Sequence, residues 1–238
     1  CQELLSNCSY RYFVSGTQTR TDGTEHILNG IIGPIVKEIS ATEGIRLGWL
    51  PKPKFHIYPV ESKYIAQKKD SIDTLTRYGM LLDENVLKKA AEIINKSVDN
   101  NMGTLVLVEE LEQIKKLTPL LKHDYLLAIG GNDIKTNKEF DKEVTVARVA
   151  VQQFNEGKKK LLIGTSTIGM GVNTIPVDSL VYLRGGSSFI SVSQGVGRGF
   201  RKYAGKEVFY VHDFDVINIP RLHRNAELRK GIYGEIYD

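Results

Sequence analysis

Cysteine is nearly absent from this 238-residue chain. Cys1 and Cys8 are the only two, and no second Cys or His cluster lies near them. That excludes a disulfide framework and a Cys/His zinc site and predicts reduced thiols inside a cell. Long apolar runs are also lacking: nothing approaches the roughly 20 continuous apolar residues of a membrane span. The opening CQELLSNCSYRYF has neither the basic n-region nor the apolar core of a signal peptide, so a cytosolic chain is expected. Neither charge dominates, because 32 Lys and Arg stand against 28 Asp and Glu. Such a balance permits a polyanionic partner without pointing to one. No internal repeat or low-complexity segment occurs. The start at Cys1, without Met, in what resembles a helix end followed by a strand, predicts further sequence upstream.

What is present suffices for one full-sized core, since 41% of the residues are hydrophobic. Residues 1–35 hold one strand-like run, Tyr10 to Ser15, and a polar stretch that closes no domain. Residues 36–82 combine the Pro51 and Pro53 pair, a charged KKD segment and an edge strand, Phe55 to Val60, as a connector would. From residue 83 to 238 the pattern is regular. Asp83 caps a helix whose apolar positions Val86, Leu87, Ala90, Ile93, Ile94 and Val98 recur at helical spacing. Gly103 then precedes the buried run Thr104 to Val108. Helix Glu109 to Leu117, strand Tyr125 to Ile129, helix Phe140 to Asn155 ended by Gly157, and strand Lys160 to Thr165 come next. Strand Ser179 to Leu183, a helix around Ser191 to Val196, and strand Glu207 to His212 continue the alternation. Alternating helices and short apolar strands define an α/β fold with a parallel sheet covered on both faces. In such sheets ligands gather at the carboxyl ends of the strands.

Two segments carry chemistry. GTSTIGMGVN, Gly164 to Asn173, comes after a buried strand, and its hydroxyls and glycines would let backbone amides approach a phosphate. Downstream, RGGSS leads into QGVGRGFR, Gln194 to Arg201. There Arg198 and Arg201, three apart on one helical face, could converge on one polyphosphate. Gly195, Gly197 and Gly199 weaken a helix by about 1 kcal/mol each relative to alanine, so close approach of a ligand or another domain is the expected reason for them. Either segment alone would suit any α/β protein; as an ordered pair on successive strands they are more specific. Asp83-Glu84 is read as helix capping rather than a magnesium box. Lys158, Lys159 and Lys160 read as a solvated helix end, and His123, His212 and His223 as core or surface histidines.

These segments resemble motifs of superfamily II helicases. GTSTIGMGVN is similar to motif V and QGVGRGFR to motif VI, Q-x-x-G-R-x-x-R. RYFVSGTQTRTDG resembles motif III, with Gly16 and Gln18 where Ala and Pro are usual, and TLVLVEELEQIKKL resembles motif IV. ARVAVQQFNEGKKKLLIGT looks like the lead into motif V. The connector GPIVKEISATEGIRLGWLPKP and the closing helix LHRNAELRKGIYGE resemble those of UvsW-like and XPB-like DNA helicases. The resemblance implies a RecA-like three-layer α/β domain, the second of two motor domains, preceded in residues 1–35 by the end of the first. No G-x-x-x-x-G-K-[ST] occurs, because Lys159 comes after Gly157-Lys158 and Glu207 after Gly205-Lys206. ATP and Mg²⁺ are therefore expected to be held mainly by the other RecA-like domain, and this chain alone is expected to be inactive.

Carried over residue by residue, the resemblance makes Arg201 the arginine finger, Arg198 a second γ-phosphate contact and Gln194 the polar sensor beside them. Such fingers accelerate phosphoryl transfer by roughly 10³ to 10⁵. Gly171 and Asn173 would face the nucleotide, the latter keeping an acceptor where many relatives carry Asp. Thr165 and Ser166 would touch the nucleic-acid backbone, and Ser15 and Thr17 would couple the two sites. The expected partners are DNA, single-stranded or branched, and the N-terminal RecA-like domain; no metal ligand and no membrane contact are expected. The implied setting is the cytoplasm of a bacterial or phage-infected cell. An RNA helicase, a non-catalytic nucleic-acid-binding module of the same fold, and an unrelated nucleotide-binding α/β enzyme are the alternatives. The last of these lacks a fingerprint loop here.

Overall fold

The computed structural model describes residues 41–129, 147–165 and 174–237, together with a few isolated positions between 27 and 40. The strand expected at Tyr10 to Ser15 lies outside these. Contacts divide the chain into Cys1–Ser40 and Ala41–Asp238. The second unit opens with α1 (Ala41–Arg46), β1 (Lys52–Val60), α2 (Ile72–Thr76), a π-turn (Arg77–Leu81), α3 (Glu84–Asp99), β2 (Thr104–Leu107), α4 (Leu111–Leu117) and β3 (Leu126–Ala128). It continues with α5 (Ala147–Asn155), β4 (Leu161–Gly164), β5 (Ser179–Tyr182), α6 (Phe189–Val196), a 3₁₀ turn (Gly197–Phe200), β6 (Val208–Val216) and α7 (Pro220–Tyr237).

Among the described residues six strands form one sheet in the order β1-β6-β5-β2-β4-β3, and their pairings are parallel. The short inner strands are buried at every position, as continuous apolar runs require when helices cover both faces. Alternation sends Val106, Ile163, Val181 and Phe214 to a core under α3 and α4. Leu105, Leu162, Leu180 and Phe209 go to a second core under α5 and α6. This is the expected α/β architecture. β1 lies at one edge and pairs with β6 along its length, beginning at Lys52 rather than Phe55. Lys52, Lys54, Pro53 and Pro59 suit an edge that must not recruit another strand.

Local chemistry explains the helix boundaries. The Asp83 carboxylate accepts from the backbone N–H groups of Asn85 and Val86 and from the Ser62 hydroxyl, so this acid caps α3. Past α5, Gly157 takes φ +71°, and the Gly157 and Lys158 amides donate back to Phe154 and Gln153. Both satisfy terminal carbonyls, as a Schellman ending does. β6 runs to Val216, four residues beyond the expected end at His212, because Asp213 and Asp215 are paired rather than solvated. Arg229 holds Asp213 and His223 holds Asp215. Among the described residues no helix is long and apolar enough to cross a membrane.

Candidate functional site

At the carboxyl ends of the strands, Thr165 comes directly after β4. It is 9% exposed, and its amide donates to Ala128 O. Ser166, Gly171 and Asn173, like Ser15 and Thr17, lie outside the described residues. The exits of β2 and β5 are tied together beside Thr165's strand. Gln113, buried on α4, accepts from Glu109 N and donates to Leu183 O at 2.9 Å. Arg184 Nε donates to Val108 O, and Gly185 N donates to a Glu109 carboxylate oxygen. From the other side, Asn225 and Arg229 of α7 donate to the carbonyls of Gly185 and Gly186. The RGG segment is thus clamped between the exit of β2 and the closing helix. β2 and β5 also send their succeeding helices, α4 and α6, to opposite faces. Such a switch point is where open α/β sheets place their crevice.

Gln194, exposed on α6, leads to the arginines. The expectation of one α-helical face for Arg198 and Arg201 is corrected here. The α-helix ends at Val196, the chain tightens into the 3₁₀ turn, and Arg201 leaves it with extended backbone, φ −74° and ψ 121°. A 3₁₀ repeat of three residues keeps positions 198 and 201 one turn apart. Both side chains are half-buried. Burial pulls both guanidinium pKa values down, and Arg201 pulls that of Arg198 down further. Two cations of this kind therefore sit close together in a partly dehydrated place. The inner Nη1 of Arg201 is enclosed with no hydrogen-bond partner.

The reason expected for the glycines is also corrected. A Cβ at Gly195 would lie 2.9 Å from Cε2 of Tyr182, and one at Gly199 would lie 2.3 Å from Cε2 of Phe209. These two let the turn press onto the domain's own sheet. Of the three, Gly197 alone faces open space.

Phe209 is the second residue of β6. The arginine turn is therefore anchored near the amino end of that strand, at the opposite end of the sheet from Thr165. α6 has carried the chain back across the sheet, and the strand-end rule applies to Thr165 but not to the arginines.

Several residues around this turn carry no mark in the sequence pattern. Lys206 is 3% exposed, and its Nζ donates to Gly199 O at 2.5 Å and Arg201 O at 3.0 Å. Tyr203 OH donates to Asp178, whose other oxygen accepts from Gly103 N. Burial raises the Tyr203 pKa, and the Asp178 carboxylate adds to the shift. Their spacing in sequence obeys no periodicity. The only local signal is Gly205, whose φ of +84° turns the chain so that Lys206 comes back under Arg201. The lysines after α5 behave as solvated groups: Lys158 pairs with Glu156 and Lys159 with Asp124. His212 is buried against Tyr58, and burial pushes its pKa down to about 4. His123 pairs with the exposed Asp99 carboxylate and His223 with the buried Asp215 carboxylate.

A parallel sheet in this order, with helices on both faces, the β2/β5 crevice and the glycine-packed arginine turn, defines a RecA-like α/β domain. Its sequence is related to that of a protein described as a helicase. That relative, described as "Putative helicase 22" of a Sulfolobus islandicus filamentous virus, is 27% identical over 222 residues, which is 88% of this chain. The chain spans only 38% of the relative's length. No family model matches. Among solved structures, T4 UvsW superimposes with a TM-score of 0.55 at 16% identity, covering 79% of this chain and 40% of its own. A fragment of a "putative HsdR subunit of a type I restriction enzyme" from Vibrio vulnificus gives 0.57 at 16%, covering 87% and 39%. The Type ISP restriction-modification enzyme LlaBIII bound to DNA gives 0.54 at 13%, covering 88% and 16%. At these identities the three structures establish the fold alone.

Proposed function

We propose that this chain is the C-terminal motor domain of an ATP-dependent superfamily II helicase or translocase that acts on DNA, with residues 1–35 closing a first motor domain and 36–82 connecting the two. The observation that carries the reading is the arginine pair: Arg198 and Arg201 are adjacent and half-dehydrated, and an inner donor of Arg201 is unmet. A polyphosphate fits that donor set, since guanidinium forks pair with phosphate oxygens and gain strength away from bulk water. The phosphate would be that of ATP held, with Mg²⁺, by the other RecA-like domain. Arg201 would act on charge that develops during phosphoryl transfer, Arg198 would hold the γ-phosphate, and Gln194 would sense it. Gly171 and Asn173 would face the nucleotide. Thr165, at the carboxyl end of β4, and Ser166 would grip the nucleic-acid backbone without reading bases, while Ser15 and Thr17 would couple grip to hydrolysis. DNA is favoured over RNA by the resemblance of the connector GPIVKEISATEGIRLGWLPKP to that of UvsW-like and XPB-like DNA helicases.

The test is Arg201→Ala in the protein that carries this chain. ATP turnover should fall by roughly 10³ or more while DNA affinity changes less than about twofold. Normal turnover with tenfold weaker DNA binding would transfer the turn to nucleic acid. Thr165→Val should do the reverse, weakening DNA binding by about 1 kcal/mol and leaving the fold intact. The 238-residue chain alone should hydrolyse no ATP.

A further inference from the structure

Lys206 is a buried ammonium with no carboxylate within ion-pair distance among the described residues. Its hydrogen bonds go to two backbone carbonyls, Gly199 O and Arg201 O. The rings of Tyr203 and Phe209 lie 5.7 and 5.3 Å from Nζ. Asp178, the nearby acid, is already occupied by the Tyr203 hydroxyl and Gly103 N. Burial pushes the Lys206 pKa down to about 8, against a partial upward pull from Asp178. A cation kept in such a place works against folding, and an apolar chain of similar length would pack there without that penalty. What an apolar chain could not do is hold the two carbonyls. They bracket the segment in which Gly199 presses on Phe209, Phe200 meets Phe209 edge-on at 4.8 Å, and Arg201 leaves the 3₁₀ turn. With both carbonyls held, the backbone that carries Arg201 is fixed at the end of the 3₁₀ turn.

We propose that Lys206 is a positioning residue for the arginine pair, clamping the backbone on both sides of Phe200 so that Arg198 and Arg201 are presented together. This rests on the assignment of that pair to ATP hydrolysis. It predicts that removing the ammonium harms catalysis without harming the fold.

The experiment compares Lys206→Met, Lys206→Arg and Arg201→Ala in the protein that carries this chain, by DNA-stimulated ATP turnover, thermal midpoint and limited trypsin digestion. Lys206→Met should lower kcat tenfold or more, with KM for ATP within threefold and a midpoint equal to or above the parent's. Tryptic cleavage after Arg201 should quicken severalfold, and Lys206→Arg should keep most of the turnover. If Arg201→Ala abolishes turnover but Lys206→Met leaves kcat and cleavage unchanged, the positioning role is overturned while the arginine assignment stands. If Arg201→Ala turns over normally, the arginine assignment fails and the positioning role fails with it. A Lys206→Met protein that does not fold, together with a Lys206→Arg protein whose midpoint and turnover drop in step, would make Lys206 a structural residue and also overturn the proposal.

Discussion

Arg229 and Lys206 are buried cations near the same strand, β6, and they are held in opposite ways. Arg229, 1% exposed, meets Asp213 through two nitrogens at 2.7 and 3.0 Å. It also donates to Phe214 O, and Tyr233 OH adds a further bond to the carboxylate. Charge, donors and acceptors close on themselves, and the result joins α7 to the sheet. Among the described residues Lys206 has no counter-charge in contact, only carbonyls and ring faces. The first arrangement is that of a structural joint, the second that of a residue kept for where it puts its neighbours. Burial of a charge is therefore uninformative until its partners are named.

The sharpest way to break this comparison is Arg229→Met, which strands Asp213 in the core. A loss of about 3 to 5 kcal/mol in denaturant unfolding is expected. A loss below about 1 kcal/mol would make the two cations equivalent.

The next effect is on pH. The Lys206 pKa lies at about 8 in the folded protein against an ordinary 10.5. Between those values the unfolded chain binds the proton and the folded chain does not, so stability contributed at this site rises with pH. Below pH 8 the burial penalty is fully present. Relative to Lys206→Met, the parent should gain roughly 2 to 3 kcal/mol between about pH 7 and pH 10. The Tyr203 pKa is raised, and its contribution moves in the opposite sense only as pH passes the ordinary tyrosine range. Parallel urea titrations of the two proteins check this, and a flat difference would show that the ammonium is not penalised.

Smaller still is Gly199→Ala, whose added methyl would meet Phe209 at 2.3 Å. Overpacking of this sort costs about 1 to 3 kcal/mol, and it should also displace a carbonyl that Lys206 holds, so turnover should fall with stability. Gly197→Ala, into open space, should change the unfolding midpoint by an amount equivalent to less than about 0.5 kcal/mol. Equal effects at the two positions would remove the distinction between a packing glycine and a free one.

Much of the fold is legible in the sequence because it depends on local rules. Leu105 to Leu107 and Leu161 to Ile163 are apolar without a break, which only a strand covered on both faces uses. Asp83 before an amphipathic run, and Gly157 after one, are start and stop signals whose capping hydrogen bonds reach only a few residues along the chain. The end of β6 is not legible in this way. A strand reading halts at charge, which places the end at His212, and nothing near Asp213 in sequence announces a guanidinium sixteen residues on. The arginine pair is visible as a motif, but its setting is not. The spacing of Arg198 and Arg201 suits an α-helical face as well as a 3₁₀ turn, and glycines open for a ligand look the same as glycines pressed against Tyr182 and Phe209.

By itself, the sequence determined the alternation of helix and strand, the caps and the buried inner strands. All come from periodicity or spacing within a few turns of chain. Only the tertiary structure decided that β1 joins β6 at the edge, that Gly195 and Gly199 serve packing, that Arg229 neutralises Asp213, and that Lys206 grips the turn. Those outcomes depend on which atoms meet after residues far apart in the chain are brought into contact. A contact between distant residues leaves no period in the sequence.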